Sequence, residues 1–414
     1  MIDAALEMQQ YDYPLPDSLI ARHPLEERDA SRLLAIDIPS ETITHTHFSK
    51  LPDLIPPDSL LWMNASRVIA ARIPCTKATG GAVEVLLLSP AGPSADPAIA
   101  LASRNPSEWM ALIGGKRISA GDRLQTEKSL TIQVLHKEGA HARVQLQWLD
   151  KTLSLAALLD EIGKIPLPPY LKREQNDDDP ARYQTIYAER PGSVAAPTAG
   201  LHFSAQILSR LNAQNVRIEK VHLHVGAGTF KPIDVENARH HDMHAERIEI
   251  PLSAIEGLAE ATRSREKGGS ARVVAVGTTS LRTLESLAIA GQRLCQGGAL
   301  VDQGFLARQW DGRAQQPLLD SELFGAIAQR MRSDGLPALV GMTSLMIAPG
   351  FGPLHVDRLI TNFHQPRSSL LLLVAAFSLQ AGSSPPLWRR AYDEALRERY
   401  RFLSFGDSSI WIKA

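Results

Sequence analysis

Cysteine is nearly absent from this chain: Cys75 and Cys295 are the only two in 414 residues, and they lie far apart in sequence. That argues against a disulfide framework and a cysteine-based zinc site, and it suits a reducing compartment, so a cytoplasmic protein is expected. An excess of one charge is missing too. Lys plus Arg number 44 against 45 Asp plus Glu, which leaves no global basic field of the kind that announces nucleic acid. Any polyanion must therefore be met by a local patch. No apolar run is long enough to cross a bilayer; the most apolar, SLLLLVAAFSL at 369–379, reads as a buried helix. The first residues, MIDAALEMQQYDYPLP, contain no basic stretch followed by an apolar one and do not read as a secretory signal. Neither an internal repeat nor a long low-complexity tract is found.

What remains is a chain too long for one ordinary core, so two or three domains are expected. From about residue 72 to 150 the pattern is short and β-like: VEVLLLS, EWMALIGGKRISAGDRL, LTIQVL and HARVQLQWL, punctuated by Gly-Gly and Gly-Asp. Short strands at regular intervals predict a small barrel. PAGPSADPA at 90–98 reads as a loop leaving that β unit, and NDDDP at 176–180 as a solvated turn without a binding role. After residue 155 helical and strand-like segments alternate: SAQILSRLNAQN (204–215), VRIEKVHLHVG (216–226), ARVVAVG (271–277) and SLRTLESLAIA (280–290). This alternation predicts an α/β layer. Residues 11–70, with the strand-like SLLWM, belong to the same layer, which makes the barrel an insertion. The expected organisation is an α/β main domain over 1–71 and 151–414 and a barrel domain over 72–150.

Three strand ends draw attention. GSVAAPTAGLHF (192–203) surrounds one proline with small residues, a composition that lets backbone approach another group; a tight strand-to-helix turn is the alternative. In VGTTSLRTLE a buried-type strand passes through Gly277 and three hydroxyl residues into a helix. Thr278, Thr279 and Ser280 could cap that helix, and its free amides favour a carboxylate or phosphate. In VDRLITNFHQPRSSLLLLV, Asn362 and His364 sit at a strand end before Pro366 and a helix opened by Ser368 or Ser369. Polar side chains at strand ends are where open α/β sheets place ligands.

Histidines form a second theme. VHLHVGAGTF alternates Val221, Leu223 and Val225 with His222 and His224, so one strand face carries both imidazoles. RHHDMHAE adds His240, His241, His244 and Glu246, and such a crowd could also hold a metal, giving a metal-dependent hydrolase as a rival reading. In WRRAYDEALRERYRF (388–402) arginines alternate with Trp388, Tyr392 and Tyr400, which suits RNA. Asp393, Glu394 and Glu398 interleave with them, so a salt-bridged amphipathic helix is the stronger reading.

Together RDASRLL (28–34), GSVAAPTAGLHF, HLHVGAGTF, MHAERIEI (243–250), VGTTSLRTLES, VDRLITNFHQPRSSLLLLVAAF and YRFLSFGD (400–407) resemble the S-adenosylmethionine:tRNA ribosyltransferase-isomerase family of queuosine biosynthesis. The blocks run in family order from about residue 11 to 407. The resemblance implies an α/β fold, with a mixed-sheet main domain and an inserted small β-barrel. It implies transfer of the ribosyl part of S-adenosylmethionine to 7-aminomethyl-7-deazaguanine in tRNA, with rearrangement to epoxyqueuosine and release of adenine and methionine. S-adenosylmethionine is then a consumed substrate rather than a cofactor, tRNA a partner met through a local basic patch, and no metal is implied.

Such chemistry needs a base near ribose C5′, whose hydrogens the sulfonium acidifies; His244 with Glu246, or His202, are the candidates. Substrate contacts are expected from Ser193, Ala196, Thr198 and Gly200 in the small-residue loop, from His224, Gly226 and Thr229, from Thr278, Thr279 and Ser280, and from Asn362 and His364. Arg28 and Arg282 could pair with carboxylate or phosphate, structural pairing being the alternative for both. The chain departs from the family pattern at Ala65, Met342 and Ser344, where carboxylates are lost, and at Gln365, where the family has Leu; the family's terminal Gly-Asp-Ala-Met reads here Gly406-Asp407-Ser408-Ser409. A divergent paralogue with another acceptor or outcome, and a noncatalytic RNA-binding protein, are the remaining alternatives.

Overall fold

The computed structural model describes residues 4–115, 117–128, 130–226, 232–300, 304–312, 318–352, 354–379 and 384–413. Its organising element is the strand Leu60–Asn64, LLWMN, in which every residue is buried. A strand without alternation is covered on both faces, as parallel strands in α/β layers are. It lies inside a ten-stranded sheet in the order Gly304–Ala307, Ala338–Thr343, Glu246–Pro251, Arg217–Leu223, Leu60–Asn64, Val273–Val276, Arg358–Asn362, Ser408–Ile412, Arg32–Asp37, Thr42–His47. The four strands from Arg217–Leu223 to Arg358–Asn362 run parallel, while antiparallel pairs flank them, so the sheet is mixed. Parallel pairing has one consequence for function: the C-terminal ends of those four strands open on the same edge.

Arg72–Lys77, Ala82–Gly92, Ser107–Gly114, Arg123–Gln125, Thr131–Glu138 and His141–Gln147 close into the expected barrel. Alternation, as in Ser107–Gly114, buries one face of the strands in a separate apolar cluster that also takes in Leu155, Leu158 and Leu159. Barrel and sheet touch where Arg247 Nη2 donates to Asp96 Oδ2 at 3.0 Å. No helix among the described residues is long and apolar enough to cross a membrane.

The α/β alternation and the apolar helix Ser369–Phe377 are as expected. Several local readings change. NDDDP is not wholly solvated: Asp179 is 1% exposed, paired with Arg173 at 2.6 Å, and opens the short helix Asp179–Arg182. A charge run read by composition cannot reveal a partner that folding brings beside it. In 388–402 the salt-bridged alternative holds. Trp388, Tyr392 and Tyr400 are buried, and Arg390 and Arg397 pair with Glu41 and Glu394, so those rings have no free face for a base.

Candidate active site

Three of the parallel strand ends meet in one cleft. Val273–Val276 ends in Gly277, whose φ of +90° a side chain would strain and which turns the chain sharply into the helix Thr278–Cys295. Among the described residues no side chain caps this helix, and the expected capping by Thr278, Thr279 or Ser280 is not seen. Its first amides are left for another acceptor, and Gly277, Thr278 and Thr279 line the cleft. The helix is buried on all sides from Thr278 to Gln292, a burial that fixes its N-terminus in place.

Arg358–Asn362 supplies Thr361, Asn362, His364 and Gln365 to the same cleft, and the loop after Arg190–Ser193 supplies Ala196, Pro197, Thr198 and Ala199. The chain there turns directly into the short helix Thr198–His202. Ser193 does not face the cleft; its Oγ accepts from Val225 N at 3.1 Å and donates to Ala195 O at 2.7 Å, pinning loop to strand end. The structure describes nothing at Thr229, which lies outside the described residues.

Beside Val225, which also lines the cleft, stands the pair His244 and Glu246. Glu246, 2% exposed, receives Gly226 N at 3.2 Å and His244 Nε2 at 3.3 Å on Oε1, and the Arg282 guanidinium on Oε2. Burial alone would raise its pKa, but Arg282, His244 and the Gly226 amide outweigh burial and hold the carboxyl below the usual carboxylate range. Arg282 is thereby spent on structural pairing. A Cβ at Gly226 would stand 3.3 Å from the His244 ring, so a side chain there would have to displace the imidazole slightly. His244 itself is 39% exposed by side chain and reachable from outside.

His202 lies one layer deeper, 4% exposed and stacked on Phe48. Its Nε2 is 3.1 Å from Asn362 Nδ2 and its Nδ1 2.8 Å from Ser31 Oγ, so both nitrogens are engaged. Burial, with Arg401 and Arg28 nearby, lowers its pKa to about 3 and keeps it neutral. His364, also buried, meets Thr361 Oγ1 at 2.8 Å. His224 lies outside the cleft, near Gly192 and the barrel-side Pro97, with Nδ1 unpartnered. Arg28 donates to the carbonyls of Leu201 and Ala181, each at 3.0 Å, which is the structural alternative. Gly200 packs against Tyr187 and Thr185 rather than the cleft.

Sequence reasoning did not single out Tyr170 and Ser404, whose hydroxyls lie 2.5 Å apart at the cleft wall. YRFLSFGD contained Ser404, but nothing in PLPPYLKR signalled Tyr170. Of the departures, Gln365 lines the cleft, Ala65 is buried in an apolar cluster with Tyr187 and Phe203, and Met342 is 37% exposed on its strand. Among the described residues no three His, Cys, Asp or Glu side chains converge on a metal-sized point, so nothing in the geometry favours the hydrolase reading.

The family described as "Queuosine biosynthesis protein" matches residues 8–411. A protein of Azoarcus sp. (strain BH72) named S-adenosylmethionine:tRNA ribosyltransferase-isomerase is 40% identical over 405 residues, 98% of this chain and 97% of that one. One of the same name from Anaeromyxobacter sp. (strain Fw109-5) is 41% identical over 412 residues, 99% of this chain and 100% of that one. The crystal structure of S-adenosylmethionine tRNA ribosyltransferase from Thermotoga maritima aligns with 28% identity and a TM-score of 0.46 over 97% of this chain and 100% of that one. With matches running from end to end at this level of identity, the chain belongs to the queuosine biosynthesis protein family.

Proposed function

We infer that this protein is an S-adenosylmethionine:tRNA ribosyltransferase-isomerase. It moves the ribosyl group of S-adenosylmethionine onto 7-aminomethyl-7-deazaguanine in tRNA and isomerises it, giving epoxyqueuosine, adenine and methionine. S-adenosylmethionine is consumed, and the protein works in the cytoplasm as an α/β domain of residues 1–71 and 151–414 with residues 72–150 inserted as a barrel domain. The observation that carries the site assignment is the convergence of 196–199, 277–279 and 361–365 on one cleft, with 225–226 and 244–246 adjoining.

In this reading the bare amides at Thr278 and Thr279 hold the methionine carboxylate, favoured by the helix dipole. The sulfonium acidifies C5′ of the ribose, and His244 takes the proton. Glu246 is occupied by an arginine, an amide and the imidazole, which suits it to orienting His244 rather than to abstracting protons itself. With Nε2–H donated to Oε1, the lone pair sits on His244 Nδ1. The electron pair left at C5′ drives rearrangement of the ribose and departure of adenine. His202, both nitrogens engaged, positions rather than reacts. For tRNA we assign the rim formed by Arg239 and the 45% exposed Trp310, which share a hollow. It is tied to the His244 loop through Gln309, which binds Met243 N at 3.1 Å and the His241 carbonyl.

The test is incubation with S-adenosylmethionine and tRNA carrying the deazaguanine precursor, following adenine and the modified nucleoside. Adenine with modified tRNA is expected. Adenine without modification would assign the chain to a paralogue with another acceptor, and no adenine at all would sink the reading.

A further inference from the structure

Asn362 is 2% exposed and lines the cleft. Its Nδ2 faces three acceptors: His202 Nε2 and the Leu403 carbonyl at 3.1 Å, and the Asp407 carbonyl at 3.5 Å. Turning the amide over would set its oxygen against both carbonyls. The orientation is therefore fixed, and Oδ1, on the opposite side of the carboxamide, is a buried acceptor with no partner. A buried unsatisfied carbonyl is costly, which is a reason to look for a ligand donor.

The hydrogen bonds behind it run in one direction. Asn362 Nδ2–H donates to His202 Nε2, His202 Nδ1–H to Ser31 Oγ, and Ser31 Oγ–H to the Arg28 carbonyl at 3.4 Å. This chain requires a neutral imidazole of one tautomer, which the stacking on Phe48 and the burial of His202 both favour.

Position identifies the donor. Val276 pairs with Ile360 in parallel register, so Thr278 and Asn362 leave neighbouring strand ends, which lie about 4.8 Å apart. One end offers bare helix amides and the other a bare carbonyl oxygen. No Asp, Glu, Lys or Arg is among the described residues lining the cleft. A group bearing a carboxylate and an ammonium on one carbon, held by dipoles alone, fits that arrangement: anion on the amides, cation on the carbonyl.

We propose that Asn362 Oδ1, held in orientation by His202 and Ser31, accepts a hydrogen bond from the α-ammonium of the methionine part of S-adenosylmethionine, and that His202 is a positioning residue. This rests on the function inferred above. The test compares calorimetric affinities for S-adenosylmethionine and for 5′-methylthioadenosine, which lacks the amino-acid end. In Asn362→Leu the first affinity falls about 10- to 100-fold while the second is unchanged. His202→Phe shows the same selective loss, and His202→Gln, whose carbonyl can accept the Asn362 N–H, restores most of it. An equal loss for both ligands, no loss for either, or a wild-type protein that binds both alike overturns the proposal. If the wild type binds neither, the inferred function fails instead, so the two failures are distinguishable.

Discussion

Glu246→Gln tests the buried network behind His244. The carboxylate is 1% exposed by side chain and faces an Arg282 guanidinium 8% exposed, so neither charge has water to fall back on. Glutamine keeps the shape and one acceptor oxygen but places an N–H₂ among donors, and Arg282 stays charged because arginine does not deprotonate in proteins. Leaving one partner of a buried ion pair uncompensated costs about 3–5 kcal/mol; the retained oxygen puts Glu246→Gln near about 3 kcal/mol. Arg282→Met leaves the carboxylate, which still has His244 and the Gly226 amide, and costs a similar amount. Glu246→Gln with Arg282→Met removes both charges, so the double variant is more stable than the sum of the single losses by at least about 2 kcal/mol. Urea unfolding without ligand measures the stabilities, and single-turnover adenine release measures the orienting role, with a fall of about 100-fold expected in Glu246→Gln. A cost below about 1 kcal/mol, or additive single losses, would refute the buried-pair argument. Unchanged adenine release would remove the Glu246 carboxylate from the reaction.

Gly226→Ala puts a methyl against the His244 ring, which is exposed enough to swing away; adenine release is expected to fall about tenfold with thermal stability nearly unchanged, and equal activity would show that His244 has no fixed position. Gly200→Ala places its Cβ 2.0 Å from the Tyr187 hydroxyl, and this overpacking costs about 1–3 kcal/mol in urea unfolding. Burial lowers His202 and His364 to about 3 and His224 to about 4. The unfolded chain therefore takes up protons first, and stability complete above about pH 6.5 is lost as pH falls toward those values. Each histidine contributes up to about 1.4 kcal/mol per pH unit in that window; His364→Gln should flatten the slope by about that amount, and an unchanged slope between pH 6 and 5 would contradict the assignment. Trp310→Ala should raise KM for tRNA several-fold and leave the calorimetric affinity for S-adenosylmethionine alone, and a loss in both would place Trp310 elsewhere in the mechanism.

By itself the sequence determined what is local. Periodicity marked the barrel strands and the α/β alternation, because one-face burial writes itself as alternating residues. The strand-end turns at 192–203, 277–280 and 362–369 were legible from glycine, proline and hydroxyl residues, whose backbone preferences act over a few positions. Only the tertiary structure decided which of these meet. Parallel pairing brings the ends at Gly277 and Asn362 side by side, and the contacts made on folding turn Arg28, Ser193 and Arg282 toward structural partners. Asn362 gained its fixed amide in the same way. Those outcomes depend on contacts between residues distant in the chain, and no spacing along a sequence encodes the direction in which a buried donor points.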